Sequence, residues 1–386
     1  MNLFSIRFTR IHHPRRAAQQ GVSLVEIMVA LVAGLILIGG VGQVYLSNKQ
    51  TYRVQEAQSR LQENARFALE IMSKDIRMAG FMGCISRVPS INNTLNGPPP
   101  SFDPGDGIQG WEANGTGYGT AVPIEINAAP VNVAIGAAVG QWSAAGGNTL
   151  DATTAVPNSD IFRIWRGGEN PALINNITPG ANTVINTTPN ADTADGDIVL
   201  ISDCQNADWV QACNVQAIGG GITIDHTLSS GCTPGNITAL PVLTKSGGEL
   251  VKLVSNIYYV GKRNDAAANE PALFRKPLLG SSASGGQNSA AAGAGEELVE
   301  GVENMQILYG EDTDSDGTPN QYVAASAVAN WSNVVSMRLS ILMRTAENNL
   351  TTEAQGYSFN GQSAIAPDRR LRRVFTTTVT LRNRLQ

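Results

Sequence analysis

The chain has 386 residues, is 42% hydrophobic and only 15% charged, and carries a formal net charge of -5. That hydrophobic content and low net charge exclude a disordered polymer, and the acidic balance disfavours nucleic acid as the main partner, since phosphate binding needs a basic face. Four cysteines in so long a chain do not make a disulfide scaffold, and no CxxC pair suggests zinc.

Residues 1–21 hold Arg7, Arg10, Arg15 and Arg16, and no acid precedes Glu26. An apolar run then extends from Val22 to Leu46 with Glu26 as its one charge. Such a run is long enough to cross a bilayer core of about 30 Å. The basic flank predicts a cytoplasmic N-terminus and a C-terminal bulk across the membrane. A secretory signal would have a shorter apolar region followed by small residues, whereas here the apolar stretch runs straight into a helical pattern. A carboxylate inside an apolar span costs a few kcal/mol unless it finds a partner or a use. A free amine released by cleavage after Gly21 would supply a positive partner for Glu26 of a neighbouring copy.

The stretch Gly21-Val-Ser-Leu-Val-Glu26 resembles the cleavage motif of type IV prepilins and pseudopilins. Residues 50–84 (QTYRVQEAQSRLQENARFALEIMSKDIRMAGFMGC) and 298–317 (LVEGVENMQILYGEDTDSDG) are similar to the minor pilins of the PilW family. One departure is Val22, where most members have Phe. The resemblance implies a precursor held in the inner membrane, cut after Gly21 by a prepilin peptidase that also N-methylates Val22. It further implies that Glu26 guides docking into the filament by pairing with an N-terminal amine. The implied domains are a leader peptide (1–21), a long helix (22–80, with 22–46 in the membrane) and a periplasmic or extracellular β-rich domain (81–386). The partners would be other minor pilins and the major pilin, first at the inner membrane and later in the pilus at the cell surface.

Beyond the membrane half, apolar residues recur at Val54, Ala57, Leu61, Ala65, Ala68, Met72, Ile76 and Ala79, with spacings of three and four. That is one buried helical face, and an unbroken helix from Val22 to Met78 would be about 85 Å long. Gly34, Gly39, Gly40 and Gly42 read equally as close helix packing or as a stretch that unwinds on leaving the bilayer. Gly80 and Gly83 end the helix, and the Pro-, Gly- and Asn-rich residues 89–119 read as loop. Strands are expected at Ile161–Trp165, Ile198–Ser202, Leu250–Val260, Ala272–Arg275, Val299–Tyr309, Val334–Arg344 and Arg373–Arg382. Residues 281–295 read as a flexible linker or exposed loop. The fold class is therefore α+β and pilin-like: a long N-terminal transmembrane and amphipathic helix packed on a mostly antiparallel sheet with long loops.

Asp312, Asp314 and Asp316 stand at alternate positions before Gly317, matching the first half of a calcium loop, with the Thr318 carbonyl and the Asn320 side-chain oxygen as further donors. The twelfth position is Val323, so the bidentate Glu is missing, and the flanks read as strands. The alternatives are weak calcium binding and an acidic solvated hairpin. Cys84, Cys204, Cys213 and Cys232 allow three pairings; Cys204–Cys213 closes the shortest loop, leaving Cys84–Cys232 to tie the helix end to the sheet. His226 is the one histidine outside the leader, too little for a Ser/His/Asp triad, so no enzyme activity is expected. Arg369–Arg373 is a dense basic cluster, read as a solvated strand entrance. The expected function is a minor pilin that primes a type IV pilus or sits at its tip. Twitching motility, adhesion and DNA uptake would be traits of the pilus. The alternatives are a type II secretion pseudopilin, which shares the N-terminal logic, and a tip adhesin stiffened by calcium.

Overall fold

A computed structural model describes residues 21–85, 91–96, 104–124, 129–135, 140–144, 148–178, 184–188, 193–218, 221–225, 235–237, 247–263, 270–278 and 295–384. The chain divides into two compact units, Met1–Gln55 and Glu56–Gln386. One helix, Leu24–Met78, runs from the first into the second.

Within the first unit the helix is apolar and long enough to cross a membrane, and none of its most apolar window is buried among the described residues. Every large apolar side chain from Val22 to Leu46 is exposed. Gly34, Gly39, Gly40 and Gly42 are helical and meet no atom outside their own helix. Neither reading of these glycines finds a contact among the described residues.

In the second unit the helix is amphipathic as the spacing requires. Leu61, Ala65, Ala68, Met72 and Ile76 are buried and join Phe162, Tyr258, Met305, Ile307, Met337 and Ile341 of the sheets in the largest core cluster. Asp75 interrupts this apolar face. Its carboxylate accepts from Asn256 Nδ2 at 2.7 Å and Tyr258 Oη at 2.6 Å, and Arg166 Nε lies 3.6 Å away. The helix ends at Gly80, whose φ of +74° is the left-handed geometry that glycine adopts without penalty.

The expected antiparallel sheet is there, built larger than the strand signals suggested. Fifteen strands among the described residues form one branched sheet around Glu249–Lys262, which pairs antiparallel with Ile161–Gly167 and Pro271–Leu278. A four-stranded sheet has the order Gln321–Val323, Val302–Glu311, Val334–Arg344, Arg372–Thr380, and a small hairpin joins Gly356–Phe359 to Gln362–Ile365.

Two expectations change. The stretch 89–119 holds strands Ile91–Asn93 and Ile108–Ala113, and the latter lies inside the sheet beside Ile161–Gly167. It is covered on both faces and so lacks the alternation that marks a half-exposed strand. The single strand expected at Val299–Tyr309 is two, Glu296–Glu300 and Val302–Glu311, broken at Gly301. Gly301 has φ +81°, and a Cβ there would stand 2.7 Å from the Arg344 carbonyl oxygen. Of the expected 281–295 linker, 281–294 lies outside the described residues.

Candidate functional site

The helix start is organised by its own sequence. Ser23 Oγ accepts from the Glu26 amide and Glu26 Oε2 accepts from the Ser23 amide, each at 3.2 Å. This reciprocal pair is a capping box: the hydroxyl and carboxylate satisfy amides that a helix terminus leaves unpaired. Glu26 therefore sits in the first turn, where the helix dipole favours a negative charge. Its carboxylate is turned back to the peptide joining Val22 and Ser23. Sequence reading named Gly21, Val22 and Glu26 and passed over Ser23, although Ser-x-x-Glu before an apolar run is itself the signature of such a box.

The acidic segment is a hairpin turn between antiparallel strands Val302–Glu311 and Gln321–Val323, with Glu311 opposite Gln321. One ligand oxygen from each of Asp312, Asp314 and Asp316 lies within 4.8 Å of the other two. Oxygens on opposite sides of a calcium ion, each at about 2.3–2.6 Å, stand about that far apart, so the three carboxylates fit one hard cation. Their neighbours are partly committed. The Asp312 carboxylate accepts from the amides of Ser315, Asp316 and Gly317. Burial opposes ionisation of Asp312, and these three hydrogen bonds outweigh it, holding its pKa below the ordinary value. The Thr318 amide and hydroxyl both donate to Asp316. Asn320 Oδ1 accepts from the Thr313 amide at 2.6 Å and its hydroxyl at 3.0 Å. The aspartates converge, while the Thr318 hydroxyl and the Asn320 oxygen are used within the turn.

The first-choice disulfide pairing is corrected. Cys84 bonds Cys204, with Cα atoms 5.3 Å apart. Cys204 lies in the turn after strand Ile198–Ser202, and Cys213 lies past the far end of the returning strand Ala207–Gln211. Five extended residues at about 3.3 Å each carry these two cysteines well beyond the ~7 Å that a disulfide can bridge. Cys213 is itself disulfide-bonded. Cys232 lies outside the described residues, as does His226. The link from the end of the helix to the sheet is present, through Cys204.

The basic cluster is also corrected. Arg372 and Arg344 are buried and Arg370 is half-buried. Arg372 pairs with Glu303 and Asp368, Arg344 with Glu303 and Glu270, and Arg370 with Glu270 and Asp368. Sequence reading saw the arginines as one patch because Glu270 and Glu303 are far away in the chain, although Asp368 is adjacent. Arg369 and Arg373 remain exposed.

Comparison with known proteins follows the same division of the chain. A model of the family described as type IV pilus-assembly protein W matches residues 257–383, from within the central strand to beyond Thr380. A model of the prokaryotic N-terminal methylation motif matches residues 16–42. No curated protein and no solved structure matches the chain. With a methylation motif at the helix start and a pilus-assembly W match in the β domain, the chain matches a PilW-family type IV minor pilin.

Proposed function

We propose that this chain is a minor pilin that primes assembly of a type IV pilus or sits at its tip, after cleavage between Gly21 and Val22 and methylation of the new amine. The observation that carries this reading is an apolar helical segment left uncovered among the described residues, directly following a capping box that holds Glu26 in the first turn. Exposed apolar surface on this scale needs either lipid or other apolar helices around it. The membrane supplies the first before assembly, with the leader on the cytoplasmic side and the β domain in the periplasm; a bundle of pilin helices supplies the second. On this reading residues 1–21 are the leader, 22–80 the helix and 81–386 the β domain. Glu26 exchanges its capping partner for an N-terminal amine when the helix joins the bundle.

The test is the mature protein itself. Mass spectrometry of the chain purified from assembled pili should find methylated Val22 as its first residue; a chain still beginning at Met1 would refute the processing. Glu26→Val should enter the membrane normally and fail to support piliation. Normal piliation with normal incorporation of that variant would remove the role given to Glu26.

The convergence of three carboxylates supports one further element, weak calcium binding at Asp312, Asp314 and Asp316. Calorimetry should detect calcium binding that is weakened in Asp314→Ala. No heat and no thermal shift with calcium would leave the turn as a hydrogen-bonded hairpin.

A further inference from the structure

The four-stranded sheet ends at strand Arg372–Thr380, which among the described residues pairs only with Val334–Arg344. Two bonds fix which backbone groups face outward. The Thr345 amide donates to the Leu371 carbonyl, and the Leu381 amide donates to the Val335 carbonyl. In an antiparallel ladder, residues of that parity turn both polar groups to their neighbour, and the intervening ones turn both away. Arg372, Val374, Thr376, Thr378 and Thr380 therefore present an N–H and a C=O to the open side.

At Arg372 that side is already occupied. Its amide donates to Gln355 Oε1 at 2.8 Å and its carbonyl accepts from Gln355 Nε2 at 2.9 Å. A side-chain amide here makes the two bonds that a peptide of an added strand would make. From Val374 to Thr380 the outward backbone groups have no partner among the described residues. Thr376, Thr378 and Thr380 are exposed.

Open edges are usually blunted by proline, lysine, a bulge or brevity. This one has nine residues, no proline, no lysine and an unbroken register from Arg344↔Arg372 to Ser336↔Thr380. Charge distinguishes its two ends. Arg373 lies at one end and Arg382 just beyond the other, both exposed and without an ion pair among the described residues. The strand itself contains no acid.

We propose that Val374–Thr380 is a docking edge that takes an extended strand of another polypeptide, carrying acidic side chains towards its ends, by strand addition. Backbone hydrogen bonds would give this contact its affinity and the terminal arginines its choice of partner. A second copy of this chain fits less well, since its own edge strand has no acid to set against Arg373 and Arg382.

The test uses the full chain in detergent micelles and a labelled nine-residue peptide of alternating Val and Thr with Glu at both ends. Fluorescence anisotropy should give saturable binding, and hydrogen exchange across 373–381 should slow. Thr378→Pro removes one outward N–H without touching the bonds to Val334–Arg344 and should weaken binding at least tenfold. The same peptide with Lys at both ends should bind at least threefold more weakly. A Glu-ended peptide N-methylated at alternate residues leaves the protein unaltered and should not bind. Binding of the methylated peptide as tight as that of its parent, or no change in exchange, would overturn the edge. Equal affinity for the Glu and Lys peptides would overturn the acidic partner. A dimer of the chain alone that Thr378→Pro dissolves would overturn it in favour of self-pairing.

Discussion

Asp75 offers a sharp test of how the helix is held on the sheet. Replacing it with alanine removes the acceptor shared by Asn256 Nδ2 and Tyr258 Oη and the charge beside Arg166 Nε. Hydrogen bonds to a charged group contribute about 1.5–3 kcal/mol each. Breaking a buried ion pair from one side costs about 3–5 kcal/mol, because the remaining charge stays buried. The three donors share one carboxylate, so these figures overlap, and a loss of about 3–5 kcal/mol is expected for Asp75→Ala. In a unit this large that lowers the melting temperature by on the order of 10 °C. Tyr258→Phe removes one of the hydrogen bonds and keeps the ring stacked on Phe162 at 4.9 Å, so about 1–2 kcal/mol is expected. Guanidinium unfolding of both variants and the double variant should give non-additive losses, because the two groups share one interaction. A loss below about 1 kcal/mol for Asp75→Ala would refute the claim that this contact anchors the helix.

Three further predictions concern the sheet and its bridges. Asp368 is held below its ordinary value: burial works against this, and the Arg372 side chain, the Arg370 amide and both arginine charges outweigh it. A depressed carboxylate contributes stability that is complete above the unfolded-state pKa, near 4, and lost as pH falls through the native value. Unfolding measured from pH 7 down to pH 2 should therefore steepen below about pH 4, and Asp368→Asn should flatten that part of the profile; an unchanged profile would contradict the pairing. Removing the Cys84–Cys204 bridge in a double serine variant should cost about 2–5 kcal/mol, since it closes a 120-residue separation, and non-reducing peptide mapping of the native chain should recover that pair. Arg372→Met, with Glu303 left buried, should destabilise by about 3–5 kcal/mol, whereas Arg373→Met at the exposed end of the same strand should change stability by less than about 0.5 kcal/mol.

Where the physics is periodic and local, the residues declared the fold. A run of three- and four-residue spacings put Leu61, Ala65, Ala68, Met72 and Ile76 on one face, and that face is buried. Strand Val334–Arg344 starts and stops at the expected residues because Val335, Met337, Leu339 and Ile341 alternate with Ser336, Arg338 and Ser340. Strands covered on both faces lose that signal. Ile108–Ala113 and Ala207–Gln211 carry glycine, acid or glutamine inside the sheet, and their neighbours in the chain are turn formers. Ser23 was legible, because its meaning depends only on Glu26 three residues on.

Long-range pairings of polar groups were illegible for a different reason. Asp75 meets Asn256 and Tyr258 more than 180 positions later, and Arg372 meets Glu303 across 69. No local pattern encodes such distances, so nothing near Asp75 in the sequence marks it as a buried acceptor, and Arg370 and Arg372 read as members of a solvated patch. The acidic turn sits between these cases. Alternate spacing of Asp312, Asp314 and Asp316 brings one oxygen of each within 4.8 Å of the others, because a tight turn brings alternate residues to one side. Which donors remain for a cation depends on the hydrogens nearby, and those of Thr313 and Thr318 take the Asn320 oxygen and one Asp316 oxygen. A cation would have to displace the Thr313 donors before Asn320 could ligate. Asn320→Ala should therefore leave calcium affinity within about twofold of the parent, while Asp314→Ala, whose carboxylate is exposed at the turn, lowers it at least tenfold. Equal loss from both variants would mean that the turn opens to bind.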